Sequence, residues 1–132
     1  GLGDVYKRQI LGLSLYSHHL KDGTNCKLEN FCEMVAKTAE IMDVNNIGIG
    51  SDLCLNQPDN VVEWMRNGTW SKSRHYGEGS KKKPGFPKQP EWFLDARGFD
   101  NLETGLKKVG FNTEEVEGIL GNNWFNFYKG IN

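Results

Sequence analysis

The chain has 132 residues, with 16 lysines and arginines against 17 aspartates and glutamates, a formal net charge of -1 and 37% hydrophobic residues. This length suits one ordinary domain or a piece of a larger one, and the composition is that of a chain that buries a core. Balanced charge argues against a nucleic-acid-binding protein, which needs a basic excess to neutralise phosphate. The sequence contains no run of 18 or more apolar residues, so we expect no transmembrane segment.

The first nine residues differ from the rest of the chain. Residues 1–9 have no hydrophobic periodicity, and the stretch Asp4-Val-Tyr-Lys-Arg-Gln9 resembles translated sequencing-adapter sequence from metagenomic contigs. We therefore expect residues 1–9 to be a non-native segment and residues 10–132 to be one portion of a single larger domain. The alternative interpretation is a natural frayed terminus.

The next part of the chain predicts a strand, a helix and a strand. Ile10–Tyr16 is short and apolar, as is typical of a strand covered on both faces. Apolar residues recur at steps of three and four over Leu28–Met42, which predicts an amphipathic helix. Ile47-Gly-Ile-Gly-Ser-Asp52 predicts a second strand, and the connection makes the two strands parallel. Two parallel strands rarely form a whole sheet, so we expect an α/β fold that is incomplete as given.

A long, irregular stretch follows and then gives way to helices. Residues 53–99 hold all four prolines and three of the four tryptophans, with a short helix expected at Val61–Met65. Loops of this size usually cover an active site or an interface. We interpret the tryptophans as packing the loop onto the body of the domain, with ligand binding as the alternative. Capping-box spacings at Asp100–Glu103 and Asn112–Glu115 predict two further helices, the first ending at Gly110.

Asp52 is the candidate catalytic residue. It follows small residues at the end of a predicted parallel strand, and parallel α/β folds build their active sites at the carboxyl ends of strands. A carboxylate at that position can act as a general base. The competing interpretation is an Asx-type cap of the following turn, which aspartate forms often. Position alone does not decide between the two.

Two histidines follow the first strand. His18 and His19 should lie at the same end as Asp52, and one of them could face a site. Adjacent histidines seldom bind one metal ion, and neither HExxH nor HxH occurs in the sequence. Ordinary hydrogen bonding in a loop is therefore the preferred interpretation for both. His75, in the long loop, is interpreted in the same way.

The sequence carries no metal-ligand set of its own. Its three cysteines have irregular gaps, which argues against a structural zinc site: Cys26, Cys32 and Cys54. Cys32 falls among the apolar positions of the predicted helix and is expected in the core. Neither a dinucleotide-binding fingerprint nor a phosphate-binding loop occurs. The sequence therefore offers one candidate catalytic carboxylate and no metal site.

Three segments, taken together and in order, resemble one known family. Ile47-Gly-Ile-Gly-Ser-Asp52 resembles the last barrel strand of the membrane (renal) dipeptidase family of metallopeptidases. Gly110-Phe-Asn-Thr-Glu-Glu-Val116 is similar to that family's Gly-Phe-(Thr/Ser)-Glu-Glu-(Val/Ile) helix start. Ile119–Phe127 is similar to its closing Gly-x-Asn motif. The sequence departs from the family where Leu53-Cys-Leu55 replaces the usual Phe-Asp-Gly, and where Asn126 replaces the usual arginine.

The resemblance implies a fold, an activity and a cofactor. It implies the C-terminal part of a (β/α)₈ TIM barrel, consisting of the last two βα units and the C-terminal helices. It implies a metal-dependent amidohydrolase that cleaves the peptide bond of dipeptides, in which Asp52 takes the proton of the attacking water and passes it to the leaving amine. It also implies a binuclear zinc centre whose ligands lie on earlier strands, upstream of this sequence. The chain alone is therefore expected to be inactive.

Further expectations concern the substrate pocket and the partners. Tyr16, Ser17 and His18, at the end of the first predicted strand, are expected to line the pocket for a small dipeptide. The alternatives are another amidohydrolase reaction, such as deacylation or lactone hydrolysis, and a non-catalytic module that binds a peptide or sugar through its tryptophan-rich loop. Composition leaves the compartment open between bacterial cytoplasm and periplasm. It also leaves the oligomeric state open, with a homodimer among the possibilities.

Overall fold

The computed structural model describes residues 9–67 and 82–131. The expected non-native segment lies outside the described residues apart from Gln9. Residues 68–81 of the long loop, which include Trp70 and His75, also lie outside them.

The first part of the described chain is the predicted strand, helix and strand. Strand β1 (Leu11–Ser14) and strand β2 (Ile47–Gly50) pair in parallel, with Leu11 opposite Ile47 and Ser14 opposite Gly50. Helix α1 (Leu28–Ile41) connects them, and its amphipathic pattern buries one face in the hydrophobic core. The prediction of a parallel α/β unit is confirmed.

Both strands are shorter than the sequence predicts. The pattern extends them to Tyr16 and Asp52, whereas β1 ends at Ser14 and β2 at Gly50. The backbone N–H of Tyr16 donates to Ser14 Oγ (3.1 Å), which turns the chain out of the sheet and into a 3₁₀ turn. Asp52 has a φ of 48°, in the left-handed region, and cannot continue an extended strand.

The core lies between the sheet, α1 and helix α3 (Gly98–Lys108). On α1, the residues Phe31, Cys32 and Val35 are buried. Burial of Phe31 or Val35 contributes about 1.5–3 kcal/mol relative to an exposed side chain. The same cluster includes the residue that follows β1 and residues of β2 and of α3: Leu15, Ile47, Ile49, Leu102 and Leu106. The prediction that Cys32 belongs to the core is confirmed.

The long loop contains helix α2 (Asp59–Asn67), which includes the predicted Val61–Met65 helix. Farther along, the Trp92 indole packs against Phe31 with ring centroids 5.5 Å apart and donates from Nε1 to the carbonyl of Cys26 (2.7 Å). Trp64 is 71% exposed. The prediction that tryptophans pack the loop onto the body is therefore confirmed for Trp92 and wrong for Trp64.

Helix α3 begins earlier than predicted and ends where predicted. Asp100 does not cap it, because Asp95 forms the preceding turn by accepting from the backbone N–H of Arg97 (2.9 Å) and from its guanidinium. At the other end Gly110 has a φ of 110°, and its N–H donates to the carbonyl of Lys107 (3.2 Å). This left-handed glycine satisfies the last turn and stops the helix.

The C-terminal part is a continuous helical segment. Helix α4 (Thr113–Glu117) passes through a π-helical turn (Gly118–Asn122) into helix α5 (Asn123–Ile131). The predicted capping box is present, since Asn112 and Glu115 each accept a backbone N–H from the other at 2.9 Å. No helix among the described residues is long and apolar enough to cross a membrane.

Helix α5 holds the sheet through an indole that lies on two glycines. Gly12 and Gly48 are partners in the β1–β2 register. A Cβ on Gly12 would lie 2.9 Å from Trp124 Cζ2, and one on Gly48 would lie 2.7 Å from Trp124 Cδ1. Only glycine leaves room for a ring that approaches the strands so closely.

The outer edge of β2 is occupied by side chains of α5. Leu15 N–H donates to the carbonyl of Gly50 (3.1 Å), so the carbonyls of Ile47 and Ile49 face away from β1. Trp124 Nε1 donates to the carbonyl of Ile49 (3.0 Å), and Asn123 Nδ2 donates to the carbonyl of Ile47 (2.8 Å). These two side chains satisfy acceptors that would otherwise be left for a further strand.

Candidate active site

The carboxyl ends of β1 and β2 bring the predicted site residues to one edge of the sheet. Ser14 lies opposite Gly50, and the Leu15 N–H bond to Gly50 extends the pairing by one residue. Tyr16 and Asp52 each follow two residues after this last register pair. The parallel pairing therefore places both residues at the same end of the sheet, as the sequence predicts.

Asp52 stands on the loop that leaves β2. It is exposed and has a φ of 48°, a conformation that non-glycine residues seldom adopt. Aspartate tolerates this conformation better than most residues, but the conformation still carries a cost of order 1 kcal/mol. Such residues cluster at functional sites, so the geometry supports a functional hypothesis for this carboxylate.

An aromatic group lies beside the end of β1. The Tyr16 ring makes edge contacts with both His18 and His19, each with ring centroids 5.3 Å apart. His19 Nδ1 lies 3.0 Å from Ser14 Oγ. Both imidazoles are exposed and Tyr16 is half-buried. The three rings thus form a small surface at the carboxyl end of the sheet.

Ser17 is oriented differently from its neighbours. Its side chain is 2% exposed, and its hydroxyl donates to the carbonyl of Lys88 (3.0 Å). Thr24 Oγ1 donates to the same carbonyl (3.1 Å). The observed role of Ser17 is to fasten the end of the long loop beside β1. Its predicted contact with a substrate stays a prediction.

Three clefts border the described residues, and none of the three is lined by Asp52. A cleft of about 790 Å³ lies at the start of α1, between Lys27 and Trp92. A second, of about 350 Å³, lies along α1 beside Phe31. The third, of about 660 Å³, lies at the amino end of β1 beside Ile41.

The described residues do not form a metal site by themselves. They contain no cluster of three or more histidine, cysteine, aspartate or glutamate side chains that could hold an ion. Cys26 and Cys32 are buried, and burial raises the pKa of Cys32 to about 12, which disfavours the thiolate that a metal would need. The donor set present here does not fit a binuclear zinc centre.

The described elements define a partial α/β fold of mixed helices and strands, and this fold occurs in a known hydrolase. The crystal structure of an amidohydrolase from Pseudomonas aeruginosa matches the chain with a TM-score of 0.74 at 21% sequence identity. The match covers 91% of this chain and 35% of that amidohydrolase. The chain thus has the fold of about one third of an amidohydrolase. The complete barrel stays a prediction.

The sequence comparisons add no family. No family model matches the chain, and no curated protein matches it. The resemblance to the membrane dipeptidase family therefore stays an expectation, and the structural likeness supports the coarser statement of an amidohydrolase fold.

Three functional or supporting roles were not assigned from the sequence. Ser14 contacts both Tyr16 and His19, whereas the sequence marks it only as a strand residue. Asn123 and Trp124 cover the sheet, whereas the sequence marks them only as part of a closing motif. The glycines in the two strands were the available signal for the indole, because a glycine in a strand leaves room for a ring to approach the backbone closely.

Proposed function

We propose that this chain is the part of an amidohydrolase-type hydrolase that carries the proton-transferring carboxylate, Asp52. The observation that supports the proposal most is the exposed, left-handed Asp52 at the carboxyl end of a parallel strand pair. The likeness of the fold to that of an amidohydrolase supports the reaction class. Within that class a dipeptide is the substrate we favour, through the resemblance of three sequence segments to the membrane dipeptidases.

The chemistry assigned to this chain is proton transfer. A carboxylate within hydrogen-bond reach of the attacking water can accept its proton and return it to the leaving nitrogen, which contributes about 10²–10⁴-fold to the rate. Zinc is part of the proposal, and when bound it would polarise the scissile carbonyl and lower the pKa of water. Its ligands would have to come from residues other than the described ones.

The test uses the complete open reading frame of the natural locus, purified with zinc. We expect hydrolysis of a dipeptide panel, and we expect Asp52→Asn to lower kcat about 10²–10⁴-fold while KM changes little. Glu117→Gln is the matched control, because Glu117 is an exposed carboxylate on α4. Its kcat should stay within about twofold of the wild type, as expected for a surface substitution.

The outcomes separate the alternatives. N-acyl amines and lactones are assayed beside the dipeptides, and preferred turnover of either would replace the dipeptidase proposal with a deacylase or lactonase. Peptide binding without turnover would favour a binding module, for which the 71% exposed Trp64 is the candidate contact. A wild-type kcat in Asp52→Asn would remove the proposed role of this carboxylate.

A further inference from the structure

The two strands of the sheet differ in what lies along their outer edges. The outer carbonyls of β2 accept hydrogen bonds from side chains of α5. The N–H of Leu15 donates to Gly50, so the alternating parallel pattern directs the backbone groups of Gly12 and Ser14 away from β2. In the part of the chain that the structure describes, no third strand pairs with β1. The edge of β1 is therefore the one at which the sheet can grow.

The burial of the strands agrees with this difference. Residues 47–49 of β2 are buried, whereas Leu11 of β1 is 42% exposed. Strands of parallel sheets are rich in apolar residues because both faces of such sheets are covered in folded proteins. Leu11 thus has the side chain of a covered strand at a position that the described residues leave open to solvent.

An apolar surface continues from this edge along α1. Ile41, the last residue of α1, is 87% exposed and lines both the cleft at the amino end of β1 and the cleft along α1. Leu11 lines the first of these clefts and Met34 the second. Met34 and Ile41 lie two turns apart on one side of the helix. We name this continuous surface, formed by Leu11, Gly12, Ser14, Met34 and Ile41, the β1–α1 flank.

The opposite side of α1 is already packed. A Cβ on Gly105 of α3 would lie 2.6 Å from Cys32 Sγ and 3.0 Å from Leu28 Cγ, so α3 contacts α1 on that side. Cys32 is two residues before Met34, which places the two side chains on opposite sides of the helix. The helix, like the sheet, therefore has one packed side and one open side, and both open sides belong to the β1–α1 flank.

We propose that the β1–α1 flank binds a further strand and helix of the same protein. The strand would lie parallel to β1 and pair with Gly12 and Ser14, and the helix would pack on the side of α1 that carries Met34 and Ile41. This inference rests on the part of the proposed function that makes the chain a piece of a larger amidohydrolase-type protein. It names the face that joins this piece to the rest.

The length of the matched hydrolase supports this occupant. The chain corresponds to 35% of that amidohydrolase, so about two thirds of a protein of that kind lies outside the match. A strand followed by a helix fits the flank because it supplies both backbone partners for an open parallel edge and an apolar helix face. A lone helix would leave the backbone groups at the edge of β1 without partners.

The first test measures amide hydrogen exchange in the complete protein, expressed from the full open reading frame of the natural locus. Leu13 and Leu15, whose N–H groups face β2, are internal references. In the complete protein Gly12 and Ser14 should exchange within about tenfold of these references, and in the 132-residue chain at least about 100-fold faster than them. Unprotected Gly12 and Ser14 in the complete protein would overturn the proposal, whether or not the shorter chain folds.

A second copy of the protein is the competing occupant of the flank. The exchange measurement on the complete protein is therefore repeated over a dilution series, with the molar mass followed by light scattering. Protection of Gly12 and Ser14 that stays the same on dilution supports an occupant from the same chain. Protection that is lost as a dimer dissociates would assign the β1–α1 flank to a second copy and overturn the proposal.

The second test substitutes the residue at which the two clefts meet. In the complete protein Ile41→Ala should raise the equilibrium constant of unfolding at least about 30-fold, because a covered isoleucine leaves a cavity. In the 132-residue chain the same substitution should change that constant less than about threefold, as expected for an exposed side chain. A change this small in the complete protein would overturn the proposed packing on α1.

Glu40→Ala is the matched control for this substitution. Glu40 is the exposed neighbour of Ile41 on α1 and lines neither cleft. Its substitution should change the equilibrium constant of unfolding less than about threefold in both proteins. Equal losses in Ile41→Ala and Glu40→Ala would show an effect on the end of the helix rather than a covered flank, and would also overturn the proposal.

The outcomes of these tests are separate from those of the hydrolase assay, because neither measurement needs turnover. An inactive complete protein with protected Gly12 and Ser14 would remove the proposed reaction and keep this interface. An active protein with unprotected Gly12 and Ser14 would remove only this inference.

Discussion

Trp124 and Asn123 cover the two-stranded sheet from its amino end as far as Ile49, whereas the residues after its carboxyl end include exposed His19 and Asp52. The covered half is held by side-chain hydrogen bonds to strand carbonyls and by an indole in direct contact with backbone. The exposed end has a left-handed residue and imidazoles open to solvent. The same two strands thus carry stability at one end and candidate chemistry at the other.

This division is what parallel α/β architectures generally show. Residues at the amino ends of the strands stabilise the fold, and the loops after the carboxyl ends carry function. The effect of a substitution should therefore depend on the end of the sheet at which the residue lies. Substitutions in the covered half should change the free energy of unfolding, and those at the carboxyl end should change binding or turnover with little loss of stability.

The largest expected effect is that of Gly48→Ala. The new Cβ would lie 2.7 Å from Trp124 Cδ1 and 2.8 Å from Trp124 Cε2, so the indole would have to move off the sheet. We expect a loss of about 3 kcal/mol, at the upper end of the range for overpacking. Urea denaturation followed by tryptophan fluorescence measures it.

Gly121→Ala is the matched control for that substitution. A Cβ on Gly121 meets no atom within 4 Å, and the residue lies in the helical segment at an exposed position. Alanine is favoured over glycine in helices by roughly 1 kcal/mol, so the control should be neutral or slightly stabilising. If Gly48→Ala were as stable as this control, the close approach of Trp124 to the sheet would be wrong.

Asn123→Ala should have the next largest effect. Asn123 is 6% exposed and its Nδ2 donates to the carbonyls of Val44 and Ile47, both at 2.8 Å. Removal of both bonds should cost about 2–3 kcal/mol, since a strand carbonyl is left without its donor. The same denaturation experiment measures the change.

Asn126→Ala provides the comparison for the asparagine. Asn126 is exposed on the same helix and stands where the resembled family has arginine. We expect a change within about 0.5 kcal/mol, as is usual for a surface position. Equal losses in the two variants would show that α5 is held by something other than the Asn123 amide.

The sequence predicts the elements of this fold better than their ends. The parallel β1–α1–β2 unit follows from local periodicity, and the capping box at Asn112 follows from a four-residue pattern. The capping box expected at Asp100 fails because an earlier aspartate, Asp95, forms the turn before α3. Local patterns identify helix ends only where no neighbouring residue offers the backbone a competing bond.

The candidate site is predicted only in part for a related reason. The position of Asp52 follows from the rule that parallel strands share a carboxyl end. The orientation of Ser17 does not, because its hydroxyl donates to Lys88, which lies 71 residues farther along the chain. The contact of Trp124 with Gly48 joins residues that are even farther apart in sequence, and no local pattern specifies it.

The smallest expected effect, and the one of opposite sign, is that of Asp52→Gly at the carboxyl end. Glycine adopts a φ of 48° without the steric cost that a Cβ brings, so this variant should be more stable than the wild type by up to about 1 kcal/mol. Asn56→Gly is the control, because Asn56 has a φ of 56° in the same loop and should gain a similar stability.

The two glycine variants differ in what they remove. In the complete protein, Asp52→Gly should lose turnover while it gains stability, whereas Asn56→Gly should gain stability and keep turnover. Stability gained at the loss of function is the behaviour of a residue held in an unfavourable conformation for its chemistry. The same urea denaturation measures the stability of Asp52→Gly. A loss of stability in this variant would show that the carboxylate supports the turn. That result would favour the capping interpretation, which the position of Asp52 alone leaves open.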